Sequence, residues 1–116
     1  MTRLTLKEIF LQINSLYFRN RLKNVTIRWA KDGEIRKSSM AVTRSQHGKV
    51  PKGTREFLIL ISKDLKKFQA MTILTIFHEL VHVQQWDEVT DKTCHGRKFE
   101  KRMKQLAARG AFAGLW

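Results

Sequence analysis

Residues 68–86 read Phe-Gln-Ala-Met-Thr-Ile-Leu-Thr-Ile-Phe-His-Glu-Leu-Val-His-Val-Gln-Gln-Trp, a run that is apolar almost all round. A helix of that composition is buried on most faces, and the segment predicts one from about Lys63 to Trp86, with Ser62 as its cap. Set into it is His78-Glu79-Leu80-Val81-His82. Positions i and i+4 stand about 40° apart around a helix, so both imidazoles can reach one metal ion. Glu79 stands about 60° from His82 on the same side, close enough to act on a water at that ion without ligating it. Nitrogen ligands and a fourth position left to water suit zinc. The opposite face reads Ile73, Leu74, Phe77, Leu80 and Val81. The helix therefore has a core side and a chemical side.

A catalytic zinc commonly takes three protein ligands. The compact HExxHxxGxxH arrangement needs Gly at position 85 and His at 88, where this chain has Gln85 and Glu88. His95, opening the last predicted helix after a connection long enough to fold back, is the best third ligand. Glu88, Asp91 and Cys94 are rivals. His47 lies in a polar, basic stretch and reads as a solvated loop residue.

Upstream, Leu6, Ile9, Phe10, Ile13, Leu16 and Tyr17 recur at helical spacing and predict a helix from about Leu6 to Leu22. Thr5 and Glu8 give it a capping-box start: the hydroxyl accepts from the Glu8 amide while the carboxylate reaches back. Val25, Ile27 and Trp29 alternate with Thr26 and Arg28, the pattern of a half-buried strand. From Lys31 to Arg55 the chain is polar and basic, with turn signals at Gly33, Gly48, Pro51 and Gly53 and a short strand at Ser39–Thr43. Phe57–Ile61 is a continuous apolar run, read as a buried strand. If this strand has a free edge, an extended substrate could pair with it. The last predicted helix spans about Gly96 to Arg109. Phe99, Met103, Leu106 and Ala107 share its core side, and Arg97, Lys98, Lys101, Arg102, Lys104 and Arg109 occupy an arc of about 160° opposite. Gly110 is a plausible stop, and the apolar tail 111–116 is expected to dock on the body. The fold class is α+β: an N-terminal helix, a small sheet of about three strands, a central HExxH helix and a C-terminal amphipathic helix.

Length and composition bound the rest. At 116 residues the chain reads as one domain, 1–116, large enough to bury a core without disulfides. Hydrophobic residues at 42% and charged residues at 28% argue against disorder. Cys94 is the only cysteine, which excludes an internal disulfide and a Cys-based zinc ribbon. With no membrane span and no signal peptide in view, the reading is an intracellular protein. Twenty-three Lys and Arg against ten Asp and Glu give a net charge of +13, which favours polyanionic partners, nucleic acid above all.

His78–His82, followed thirteen residues after His82 by His95-Gly96-Arg97-Lys98-Phe99, resembles the SprT-like, or Spartan-type, metalloprotease domain, which joins HExxH to a later HGxxF-type segment. The entry helix with Asn14, Leu16, Tyr17, Phe18 and Leu22, and the Val25–Trp29 strand after it, are also similar to that domain, so the resemblance spans nearly the whole chain. It implies a minimal zincin-like peptidase with one zinc held by His78, His82 and His95 and with Glu79 as catalyst. The family's best-known members cleave proteins crosslinked to DNA, which implies sequence-independent DNA contact that favours single strands. Many bacterial relatives carry a cysteine-rich ribbon, which the single Cys94 does not allow within these residues. DNA contact is therefore assigned to this domain, first to Arg97, Lys98, Lys101, Arg102, Lys104 and Arg109. The sequence assigns no further oxyanion donor; Tyr17, Arg44 and His47 are suggested without a motif behind them. A nucleic-acid-binding module with a structural or vestigial zinc site is the alternative, which intact Glu79 speaks against. A processing peptidase with incidental positive charge is a third reading.

Overall fold

Thr5 opens the first helix as its pattern requires. Its hydroxyl accepts from the Glu8 amide at 3.1 Å, and the Glu8 carboxylate returns to that hydroxyl rather than to the Thr5 backbone. The computed structural model describes residues 4–88 and 96–112, and within it this helix, α1, runs Leu6–Tyr17. It stops five residues before the expected end at Leu22, and Asn14 is the reason. The Asn14 carbonyl accepts from Phe18 N and Asn20 N, while its buried side chain bonds both Leu22 N and Leu22 O. Arg19 and Asn20 take left-handed conformations to make that turn. Phe18 and Leu22 still reach the core, but from the turn and not from the helix.

Three strands follow: β1 (Val25–Trp29), β2 (Ala41–Ser45) and β3 (Phe57–Ile61). The second begins two residues later than the sequence pattern suggests. Their order is β1-β3-β2, with β1 parallel and β2 antiparallel to β3. Ile59, Leu60 and Ile61 of β3 are fully buried although they alternate between the two faces, which accounts for its unbroken apolar run. Residues 57–61 have no free edge for an extended substrate to pair with, since both edges of that strand are taken. The registers Ile27↔Ile59↔Thr43 and Trp29↔Ile61↔Ala41 put these residues on one face, beneath the helices. On the other face, Arg28 and Arg44 hold the 31–37 loop. Arg28 forms a two-pronged pair with the Glu34 carboxylate, at 2.8 and 2.6 Å, and Arg44 donates to the Glu34 carbonyl.

The expected helix from Lys63 is in fact two pieces. Ser62 caps a 3-10 turn, Lys63–Lys67, and the chain breaks at Phe68 before α2, Gln69–Gln84. Thr72 spans the break, its hydroxyl donating to Leu65 O and Phe68 O. Trp86, expected within the helix, lies in a second 3-10 turn, Trp86–Glu88, and meets Phe57 edge-on. The final helix, α3, spans Arg97–Ala108. Gly110, at φ 82°, ends it in a Schellman motif: Gly110 N bonds Ala107 O and Ala111 N bonds Leu106 O.

The core lies between the sheet and α1 and α2, with α3 closing one side. Ile59, Ile61, Ile76, Leu80, Val81 and Leu106 are fully buried. Tyr17 and Phe112 both pack edge-on against Phe77, so the start of the tail docks as expected. Ala107, expected on the core side, is exposed. Among the described residues, no helix is long and apolar enough to cross a membrane.

Candidate metal centre

The chemical face of α2 turns toward β2 and α3. One helical turn separates His78 from His82, and their Nε2 atoms stand 3.1 Å apart. Two nitrogens on a tetrahedral zinc at 2.0–2.1 Å would be about 3.3 Å apart, so the pair already has the spacing of two ligands to one ion. One ligand atom each from His78, Glu79 and His82 falls within a 4.8 Å span, a cluster that could hold a metal ion. The donor set of two imidazoles and a carboxylate suits zinc.

Glu79 is set apart from the two histidines by burial, at 7% exposure. Thr43, in the middle of β2, donates its hydroxyl to Glu79 Oε1 at 2.9 Å. The other oxygen, Oε2, lies 3.9 Å from His78 Nε2. Burial pushes the Glu79 carboxyl above the usual carboxylate range, and the Thr43 bond pulls it part of the way back. The side chain is thus anchored at one oxygen while the other faces the histidines.

Phe99 forms the opposite wall. Its ring stacks on His82 with centroids 4.7 Å apart and meets His78 edge-on at 4.8 Å. The sequence pattern puts Phe99 in the core stripe of α3 and in the HGxxF-type segment, and it assigns Thr43 no role. Its position in an HGxxF segment was a signal for Phe99. For Thr43 the signal was inward strand parity, which has no target until the sheet order is known. His95, Asp91 and Cys94 lie outside the described residues, as does the greater part of the connection that carries them.

The six basic residues assigned to nucleic acid divide into two groups. Arg102 donates through Nη2 to Tyr17 O and through Nε to Gln84 Oε1, and it lies over the Phe18 ring. Arg109 donates to Leu16 O and lies over Tyr17. Both therefore satisfy carbonyls at the C-terminal end of α1, where positive charge is also favoured by the helix dipole. Arg97, Lys98, Lys101 and Lys104 are exposed. Phe18 and Trp29, aromatic residues that could stack on bases, are used for packing instead: Phe18 is buried and Trp29 is packed against the core. The suggested oxyanion donors are placed elsewhere: Tyr17 packs on Phe77, Arg44 sits on the far face of the sheet, and His47 is in an exposed loop.

The SprT-like family model matches residues 6–113, nearly the whole chain. The chain belongs to the SprT-like family. None of the curated proteins compared matches it. Membership, together with the His78-Glu79-His82 cluster, supports the assignment of a zinc metallopeptidase.

Proposed function

We propose that residues 1–116 act as one zinc endopeptidase domain that cleaves DNA-associated or DNA-crosslinked protein inside the cell. The observation that carries the peptidase reading is the convergence of the two histidine Nε2 atoms beside a buried carboxylate anchored by Thr43. His78 and His82 would hold one zinc per chain, with His95 as the third ligand by the family's motif. Bound zinc would supply a Lewis acid that polarises the scissile carbonyl and lowers the pKa of water toward neutrality. Glu79 takes the proton of the attacking water and passes it to the leaving amine. Its raised proton affinity suits a base that must hold that proton between the two transfers. Phe99 keeps the imidazoles packed and turned toward one point.

An extended substrate has a strand to join. Among the described residues only β3 pairs with β2, so the outer edge of β2 runs beside Glu79. Ser62 N bonds Met40 O across the inner edge, and antiparallel alternation therefore turns the backbone groups of Ala41 and Thr43 outward. DNA contact is supported by the charge of +13 and by the exposed Arg97, Lys98, Lys101 and Lys104 beside the site.

The test is elemental analysis coupled to proteolysis of a basic protein, with and without single-stranded DNA. Wild type should carry about one zinc, and cleavage should rise with DNA and fall with added salt. Glu79→Gln should keep zinc and lose cleavage, and His95→Ala should lose most of the zinc. Zinc and DNA binding without cleavage would leave a binding module instead. Cleavage indifferent to DNA would leave a plain peptidase.

A further inference from the structure

Beside the metal cluster lies a cleft of about 460 Å³ whose floor includes His78 and Glu79. Its walls come from three parts of the chain: Met40 and Ala41 at the start of β2, Met71 and Leu74 on α2, and Met103 on α3. Most of this surface is apolar, and a good share of it is uncovered. Met40 is 42% exposed and Met71 41%. Methionine is unbranched and polarisable, so a wall built of three of them adapts to guests of different shape. This surface opens directly onto the buried Glu79 carboxylate and His78.

We propose that this cleft is the specificity subsite of the enzyme and takes one large apolar side chain of the polypeptide, Met, Leu or Phe, next to the bond being cut. The inference rests on the peptidase reading above and adds the class of substrate residue. The outer edge of β2 contributes the geometry. A strand laid along Ala41 and Thr43 would present alternate side chains to the same face, at a period of two, and the cleft receives one of them. The polar side chains at the floor belong to the catalytic arrangement: Glu79 Oε1 accepts from Thr43, and the His78 and His82 Nε2 atoms face each other. Among the described residues the cleft walls above that floor carry no charge to pair with a Lys, Arg, Asp or Glu of the substrate, so a charged guest would lose hydration without return.

Two measurements test this. The zinc-loaded full chain is given unfolded casein and the cut sites are read by mass spectrometry. One position beside the scissile bond should be enriched about tenfold in Met, Leu and Phe over Asp, Glu and Gly. Cutting with a flat profile overturns the subsite and leaves the peptidase standing, whereas no cutting at all overturns the peptidase and the subsite with it. The second measurement needs no turnover. The Glu79→Gln chain is titrated with fluorescein-labelled Ala/Gly decapeptides that carry a single central Phe or a single central Asp. The Phe peptide should bind about tenfold more tightly. Met71→Glu, placed in the Glu79→Gln background, should erase that preference while zinc content and melting temperature hold. Equal affinities for the two peptides in Glu79→Gln, or a preference that survives Met71→Glu, would overturn the proposal.

Discussion

Replacing Thr43 by Val tests whether the catalytic carboxylate is held in place by β2. The change keeps the shape of the side chain and removes only the hydroxyl that donates to Glu79 Oε1 at 2.9 Å. Hydrogen bonds to charged groups contribute roughly 1.5–3 kcal/mol, and Glu79 is only 7% exposed, so water is a poor substitute partner. A double-mutant cycle of Thr43→Val and Glu79→Ala, followed by urea unfolding of the metal-free chain at pH 8, should give a coupling energy of about 1.5–3 kcal/mol. In the zinc enzyme the same freedom in Glu79 should lower kcat by roughly tenfold to a hundredfold with little change in KM, since 1.36 kcal/mol is a factor of ten. Thr43→Ser restores the donor and should recover most of both losses. A coupling below about 0.3 kcal/mol, the scatter of independent sites, would refute the idea that this bond holds Glu79. So would a Ser variant no better than Val.

Arg102→Met removes the bonds to Tyr17 O and Gln84 Oε1 and should cost about 1–3 kcal/mol in urea unfolding; a change under about 0.5 kcal/mol would mean the bonds to α1 are incidental. The Arg28 guanidinium, with help from the Lys31 amide, holds the Glu34 carboxyl at about 2, below its ordinary value of 4.5. The charged form is favoured in the folded chain, so this stabilisation is complete above about 4.5 and is lost as the pH falls toward 2. The gap in urea midpoint between wild type and Glu34→Gln should therefore be present at pH 6 and close steadily below pH 4.5, and a gap independent of pH would contradict the pairing.

What the sequence made legible was whatever depends on near neighbours. Helical spacing located α1 and α3, a run apolar almost all round located α2, alternation located β1, and the shorter apolar run located β3. The HExxH spacing placed two histidines and a glutamate on one helix face before any tertiary contact was known. What depends on distant partners was not legible. Strand order β1-β3-β2 follows from pairings between remote segments, so the blocked edges of residues 57–61 could not be seen. The stretch around Ser39–Ser45 alternates weakly, so its pattern does not mark where β2 begins. The apolar pattern continues across Phe68, so the break ahead of α2 left no mark on it. Arg102 and Arg109 sit on the polar side of α3, where periodicity marks a solvated face, yet their partners are carbonyls of the first helix.

Those two arginines also bear on how the chain folds. Arg102 reaches Tyr17 O across 85 positions of sequence, and Arg109 reaches Leu16 O across 93. A 12-residue helix is marginal on its own in water, and the last carbonyls of α1 find these partners only when α3 has docked. Contacts of such sequence separation close the longest loops and form late. The closing turn of α1 is therefore tied to the distant α3 as well as to its own Asn14 cap. Its amides should exchange hydrogen only through openings that also release α3, which makes the two helices a single cooperative unit although they stand far apart in sequence.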